Sequence, residues 1–205
     1  MQEKRVSSGG EEYKLDLPFF VLATQNPIEQ EGTYPLPEAQ LDRFLFNIRV
    51  QYPSHQEELA IMRSVTGDDE PKIEKVVDGQ GIIAFQHVVR RIPVADHVFE
   101  YAARLVRATR PSEPDAPNFV KKLMSWGAGP RASLNLILAG KARAALRGRC
   151  HVSEEDIREL CLPILRHRVI PSFAARSEGM TSDSLIEKLL EEVPAAASGS
   201  RRKAV

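Results

Sequence analysis

Residues 19–27 have the sequence Phe-Phe-Val-Leu-Ala-Thr-Gln-Asn-Pro, and this stretch decides the fold. A continuous apolar run without alternation is typical of a strand that is buried on both faces, as in a parallel sheet covered by helices. A buried helix would need more residues than Pro18 and Pro27 leave between them. The run therefore predicts a strand at 19–24 in an α/β domain.

Two further β elements are predicted on either side of this run. Residues 5–7 and 13–15 flank Gly9-Gly10, the pattern of a hairpin that turns on a glycine pair. Residues 44–50 have apolar side chains at every second position, which indicates another strand. Two or three strands are too few for a doubly wound sheet, so we expect further strands upstream of this sequence.

Beyond Pro53 the sequence changes to helical patterns. Ser54 is predicted to cap a helix whose first turn carries Glu57 and Glu58, where the helix dipole favours anions. Further helices are indicated by apolar residues at helical spacing, namely Val94, Val98, Tyr101, Ala102, Leu105 and Val106, then Leu134, Ile137, Leu138, Ala142 and Ala145, then Ile157, Leu160, Cys161, Ile164 and Leu165, and finally Ile186, Leu189, Leu190 and Val193.

These patterns divide the chain into an α/β part and a helical domain. We expect the α/β part at residues 1–65 and the helical domain at residues 80–194, where Ser153 and Asp156 form the pattern of a capping box. Residues 66–79 are polar with glycine and proline, as in a connection between domains. The small, polar and basic tail, 195–205, is predicted to be disordered.

Composition narrows the classes of function. The 205 residues include 28 Lys and Arg and 28 Asp and Glu, so no overall charge favours nucleic acid or an anionic membrane. Two cysteines are too few for a disulfide framework, and Cys161 is expected to be a buried apolar residue. The sequence offers neither an apolar run of membrane-spanning length, nor a signal peptide, nor a metal-like spacing of histidines. We therefore expect a cytoplasmic protein without a metal site of its own.

Asn26 is the first candidate site residue, because it follows the carboxyl end of the predicted strand, where open α/β sheets bind ligands. Its amide could orient a water against a phosphate. An Asx-type turn before Pro27 explains the same residue without a function, and on the residues alone this structural interpretation is the stronger one.

Arg43 is the second candidate, since a guanidinium is planar, always charged and forked for oxyanions. It could project towards a phosphate on a neighbouring subunit. Spacing alone favours an ordinary ion pair with Asp42 or Glu38 on a solvated face.

Arg131 is the third candidate. Pro130 suits the first turn of a helix, which places Arg131 near the helix N-terminus, where a cation is unfavourable without an anion close by. A phosphate would supply that anion, and a carboxylate from elsewhere in the chain would supply it equally well.

Other arginines, at 143, 147, 149, 166 and 168, could suggest contact with nucleic acid. They lack interleaved aromatic residues and are expected near helix C-termini, where cations are favoured in any case. A solvated face is the preferred interpretation, and no nucleic-acid partner is expected.

Residues 19–44, which continue the opening run as far as Leu41-Asp42-Arg43-Phe44, resemble the signature stretch of the MoxR ATPases of the AAA+ class. Residues 129–134, Gly-Pro-Arg-Ala-Ser-Leu, and residues 163–168, Pro-Ile-Leu-Arg-His-Arg, resemble the lid domain of that family. The resemblance covers residues 1 to about 194. It implies an α/β remnant of a parallel-sheet AAA+ core, followed by an all-α helical lid domain.

The resemblance also implies roles for the three candidates. Asn26 matches sensor 1, which places the attacking water; Arg43 matches the arginine finger, which reaches the nucleotide of the adjacent protomer in a hexamer; and Arg131 matches sensor 2. Catalysis would thus involve all three, with Asn26 and Arg131 contacting the ATP that the family uses with Mg²⁺. The family acts in chaperone-like remodelling, often with proteins that carry von Willebrand factor A domains.

The sequence departs from the family pattern at the phosphate site. It contains no Gly-x-x-x-x-Gly-Lys-Ser/Thr loop and no apolar strand ending in Asp-Glu. We therefore expect the C-terminal part of an ATPase, truncated or mis-started, that binds no cofactor alone and does not hydrolyse ATP alone. Two alternatives remain: a non-enzymatic helical interaction module, and a relative of magnesium-chelatase or helicase AAA+ subunits.

Overall fold

The computed structural model describes residues 4–25, 36–68 and 72–195. Within these ranges the strands are β1 (Arg5–Ser8), β2 (Glu11–Lys14), β3 (Met124–Trp126) and β4 (Ile170–Pro171). The helices are α1 (Glu38–Leu41), α2 (His55–Val65), α3 (Gly79–Arg91), α4 (Asp96–Ala108), α5 (Asn118–Leu123), α6 (Pro130–Leu146), α7 (Glu154–Leu165), α8 (Phe173–Ser177) and α9 (Ser182–Glu192).

The hydrophobic core lies in the helical half. Of the described residues, every buried apolar one lies between Ile92 and Val193. Helix α4 contributes Tyr101 and Leu105, and it packs against α6, α7 and α9. The hydroxyl of buried Tyr101 accepts a hydrogen bond from Arg158 Nη1 at 3.0 Å, so the phenol brings no unsatisfied polar group into the core. A short antiparallel pair, β3 with β4, closes one side of this domain.

Side-chain caps define where several helices begin. The Ser54 hydroxyl accepts from the Glu57 amide, and the Glu57 carboxylate accepts from the Ser54 amide at 2.8 Å, which completes a capping box at α2. Ser153 with Asp156 forms the same box at α7. Both caps and both helices confirm the sequence predictions, because a cap is decided by residues three positions apart.

Helix α6 forms where it was predicted but buries a different face. Its buried residues are Ala132, Leu136, Ala139, Gly140 and Ala144. Leu134, which the sequence places on the apolar face, is instead 70% exposed. The prediction of the face is wrong because α6 is apolar around most of its circumference, so periodicity does not select one side.

The predicted hairpin is confirmed. Strands β1 and β2 pair antiparallel, from Arg5 opposite Lys14 to Ser8 opposite Glu11. Gly9 and Gly10 both have positive φ, 62° and 87°, which is the backbone that a two-residue hairpin turn demands and that glycine adopts without strain. All eight strand residues are exposed, so the hairpin projects from the rest of the described chain.

The two predicted sheet strands are not present among the described residues. Residues 19–25 and 46–50 have no regular secondary structure, residues 44–45 form a bend, and none of them belongs to either sheet. A strand exists only beside a hydrogen-bonded neighbour, and no other described segment pairs with these two. The α/β remnant thus has the apolar sequence of a sheet without its ladder, and Leu22 is 85% exposed.

Residues 72–78 carry no regular structure before Asp78, whose carboxylate caps α3 by accepting from the Gly81 amide at 2.8 Å. The tail predicted to be disordered lies, beyond Ala195, outside the described residues. No helix in the described ranges is long and apolar enough to cross a membrane.

Candidate functional site

Arg131 lies in the first turn of α6, directly after Pro130, as the sequence predicts. The preceding loop is held by the end of α4: the Thr109 hydroxyl accepts from the Ala128 amide, and Arg110 Nε donates to the Ala128 carbonyl, both at 2.9 Å. Gly127 permits this close approach, because a Cβ there would lie 2.3 Å from the Thr109 carbonyl oxygen. The loop therefore fixes the start of α6, and with it the base of the Arg131 side chain.

The anion beside Arg131 is the carboxylate of Asp42. Arg131 Nη1 donates to Asp42 Oδ2 at 2.6 Å, across 89 residues of sequence. Both side chains are partly open to solvent, 35% for Arg131 and 28% for Asp42. Of the two anions that the sequence left open, the structure supplies the carboxylate.

Arg168 is the second cation on Asp42. Its Nε donates to Asp42 Oδ1 at 2.9 Å, while its Nη2 donates to the carbonyls of Asp42 and Phe44 at 2.8 and 2.6 Å. Its Nη1 donates to the Ile164 carbonyl at the end of α7. With 1% of its side chain exposed, Arg168 is a buried guanidinium whose charge is balanced by Asp42.

The two arginines decide the charge state of Asp42. Partial burial alone would raise the pKa of this carboxyl, but hydrogen bonds from Arg131 and Arg168 outweigh the burial and hold the pKa below its usual value. Asp42 is consequently an anion at neutral pH, and it bridges two cations of the helical domain.

Arg43, next to Asp42, is exposed and forms no ion pair with any described residue. The ordinary ion pair with Asp42 or Glu38 that spacing favours is therefore absent from the described part, since Asp42 is committed to Arg131 and Arg168 instead. Asn26, the third candidate, lies outside the described residues.

Further polar contacts join residues 44–49 to the helical domain. His167 Nε2 donates to the Phe44 carbonyl at 3.2 Å, and the Asn47 amide donates to the Pro163 carbonyl at 2.8 Å. Asp183 at the start of α9 binds Arg49 at 3.0 Å and Arg166 at 3.2 Å. Burial and the neighbouring Arg168 lower the pKa of His167 to about 4, so its imidazole is neutral.

Sequence reasoning missed Asp42, His167 and Arg168 as partners in one cluster. The sequence favours a solvated face for Arg168, and this prediction is wrong because only 1% of its side chain is exposed. Arg143 and Arg149 likewise bind a buried carboxylate, Asp156, rather than facing only solvent. A buried guanidinium is not signalled by local sequence, because its partners come from distant segments.

The charged side chains of this cluster differ in how far they are exposed to solvent. Arg43 is exposed and Arg131 is 35% exposed while it binds Asp42, and a guanidinium group matches phosphate oxygens in its geometry. In the described ranges no group of three His, Cys, Asp or Glu could hold a metal ion.

Two protein-family profiles match the chain. The profile of the ATPase family associated with various cellular activities (AAA) matches residues 1–46, and that of the AAA lid domain matches residues 118–189. Chaperone MoxR1 of Mycobacterium tuberculosis is 40% identical over 193 residues, which are 94% of this chain and 51% of that protein. The chain belongs to the MoxR family of AAA+ ATPases.

Two more relatives agree with the MoxR assignment. YeaC of Bacillus subtilis is 37% identical over 94% of this chain and 58% of its own length. A crystal structure from Cytophaga hutchinsonii superposes with a TM-score of 0.86 at 39% identity, over 94% of this chain and 59% of that one. This MoxR-family chain thus spans between half and three fifths of the relatives' length, with an AAA+ fold and a helical lid.

Proposed function

We propose that this chain is the nucleotide-sensing and lid portion of a MoxR-type ATPase that remodels or assembles partner proteins. Membership of the family and the name of the chaperone MoxR1 support the proposal. Within the described residues, the observation that carries it is Arg43: an exposed guanidinium without an ion pair, next to a segment that the lid holds by buried polar bonds.

The three candidates take separate roles in this proposal. Arg43 reaches the phosphates held by an adjacent protomer, where its charge stabilises the transferring phosphoryl group. Arg131 binds phosphate within its own protomer, and Asn26 orients the attacking water. ATP and Mg²⁺ are the ligands of the complete site, and the protomers form a hexameric ring in the cytoplasm, with von Willebrand factor A domain proteins as partners.

The chain alone should not turn over ATP, because its sequence has no phosphate-binding loop. The test supplies a polypeptide that carries the phosphate-binding loop and acidic pair of a family member, and it measures phosphate release from ATP. We expect turnover only when both polypeptides are present. Turnover by this chain alone, free of contaminating ATPases, would contradict the expectation.

Variants of Arg43 make the assignment specific. Arg43→Ala should reduce turnover ~10³-fold or more, while Arg43→Lys keeps the charge but loses the planar fork and should recover only part of it. Arg63→Ala is the matched control, because Arg63 on α2 is also exposed and also forms no ion pair among the described residues. Full turnover by the alanine variant at 43 would remove Arg43 from the mechanism.

A non-enzymatic interaction module is the second candidate, and an apolar cleft favours it. The cleft of about 760 Å³ lies between α3, α6 and residues 17–19, with Phe85 and Leu146 among its lining residues. Both side chains are largely exposed, as at surfaces that bind other proteins. If the phosphate-binding polypeptide restores neither ATP binding nor turnover, this second function is favoured over the first.

A further inference from the structure

Asp42 joins two arginines that differ in how firmly they are held. Arg168 is buried and donates to carbonyls of Asp42, Phe44 and Ile164 besides the carboxylate, so it cannot leave without exposing several unsatisfied groups. Arg131 has one hydrogen-bond partner among the described residues, the Asp42 carboxylate, and is 35% exposed. Arg131 is therefore the partner that another anion can take away.

Phosphate is the anion that competes best for Arg131. The N-terminal turn of α6 favours negative charge through its dipole, and a guanidinium binds two phosphate oxygens at once. Helix α6 has no side-chain cap at Gly129, so no carboxylate or hydroxyl of a capping residue offsets the dipole there. A polyphosphate there would take over the bond that Asp42 now makes.

Losing Arg131 changes what holds Arg43. Asp42 and Arg43 are consecutive, so their Cα atoms stay about 3.8 Å apart whatever the side chains do. In the structure the Asp42 carboxylate binds Arg131 of α6 and Arg168 after α7, and these two ion pairs hold the backbone at residue 42 from two sides. With Arg131 on a phosphate, only the Arg168 side remains.

We propose that Asp42 is a positioning residue, which makes the placement of Arg43 depend on whether Arg131 binds Asp42 or a phosphate. The inference rests on the proposed function, in which Arg43 and Arg131 face nucleotides in different protomers. Through Asp42, phosphate bound at the site of one protomer would change the position of Arg43, the arginine finger that this protomer contributes to the site of its neighbour. Arg168 keeps its position in both states, because its hydrogen bonds to the carbonyls of Asp42 and Phe44 do not involve Arg131.

The test uses the chain alone and measures a distance rather than an activity. Spin labels are attached at Arg43→Cys and at Glu187→Cys, an exposed position on α9, in a Cys150→Ser background. Cys161 can stay, because burial raises the pKa of its thiol to about 12 and keeps it unreactive. Pulsed dipolar spectroscopy then reports the distance between residue 43 and the lid.

Asp42→Asn and Arg131→Gln each remove the bridge, and both should shift the label distance by about 2 Å or broaden it clearly. Glu38→Gln is the matched control: it removes an exposed acid from the same segment, and Glu38 has no ion pair in the described ranges. Inorganic tripolyphosphate should move the parent distance towards that of Arg131→Gln and leave Arg131→Gln itself unchanged.

A purely structural ion pair gives a different result. The variants would then lower the free energy of unfolding while the folded chain kept the parent distance, and that outcome overturns the proposal. So does a parent distance that tripolyphosphate leaves unchanged. If Asp42→Asn does not fold, Arg131→Gln decides alone, since it leaves the bonds between Asp42 and Arg168 in place.

Failure here and failure of the proposed function are distinguishable. If turnover depends on Arg43 but the label distances do not change, only the proposed role of Asp42 is refuted. If no turnover occurs with the phosphate-binding polypeptide, the ATPase proposal is refuted. The distances between the spin labels still show whether Asp42 positions residue 43.

Discussion

Residues 92–193 and the described residues before 69 are both rich in apolar side chains, yet only the first region buries them. Leu105 in α4 is 0% exposed, whereas Leu22 in the run that opens the α/β part is 85% exposed. The difference is the number of neighbours: helices bond within themselves and need only a packing partner, while a strand also needs a second strand beside it. Apolar sequence therefore specifies burial only where the partners are available.

The largest expected effect on stability comes from one of two leucine truncations, one in each region. Leu105→Ala should lower the free energy of unfolding by about 2–5 kcal/mol, because it leaves a cavity among α4, α6 and α7. Leu22→Ala removes the same atoms from a solvated position and should change stability by less than about 0.5 kcal/mol. Urea denaturation followed by circular dichroism measures both, and equal effects would show that the two regions share one core.

A second pair tests the loop that positions Arg131. Gly127→Ala should cost about 1–3 kcal/mol, since the new Cβ would meet the Thr109 carbonyl oxygen at 2.3 Å and force the backbone apart. Gly129→Ala, two residues on, places its Cβ in open space, with no atom within 4 Å apart from those of residue 129 and its chain neighbours. We expect only the first variant to shift the denaturation midpoint; an unchanged midpoint in Gly127→Ala would mean that the loop is free to move.

Local features could be predicted from the sequence because a few adjacent residues decide them. Gly9-Gly10 sets the hairpin turn, and Ser54 and Ser153 set helix starts through partners three residues away. The strand at 44–50 could not be decided in this way, because a ladder depends on segments far away in sequence. Its alternating apolar residues favour a β-strand, but no described segment pairs with them.

The candidate site shows the same limit. The position of Arg131 beside a helix N-terminus, with its need for an anion, follows from Pro130 and the helical pattern. Its partner does not, because Asp42 lies 89 residues away from Arg131, and 126 residues separate Asp42 from Arg168. Charge counting cannot single out Arg168 among the 28 basic residues of the chain, since burial alone distinguishes it.

The contact between the two regions should be sensitive to pH through His167. Its pKa is about 4 in the folded chain and near the ordinary 6.5 when unfolded, so the unfolded chain takes up the proton first as pH falls. Stability is full above about pH 6.5 and declines towards pH 4. We expect a loss of about 2 kcal/mol between pH 7 and pH 4.5.

His167→Gln should flatten this decline, because the amide can still donate to the Phe44 carbonyl but does not titrate. His87→Gln is the matched control, since His87 lies exposed on α3. Asp156, whose pKa is held at about 2 by Arg149 and its cap in spite of burial, loses its contribution only below about pH 4, outside this window. A slope unchanged in the His167 variant would assign the pH dependence to another group.

The smallest effects on stability are expected for substitutions in ion pairs, and they should differ between the hairpin and the helical domain. Arg5 and Glu12 bind across the hairpin at 3.0 Å with more than half of each side chain exposed, so Glu12→Gln should change stability by less than about 0.5 kcal/mol. Asp183 is 19% exposed and binds both Arg49 and Arg166, so Asp183→Asn should cost about 1 kcal/mol. Denaturation midpoints at low and high salt measure both, and the Glu12 effect should vanish with salt before that of Asp183, because solvent ions screen exposed charges first. The reverse order would mean that the hairpin, and not the lid, holds the tighter electrostatic contact.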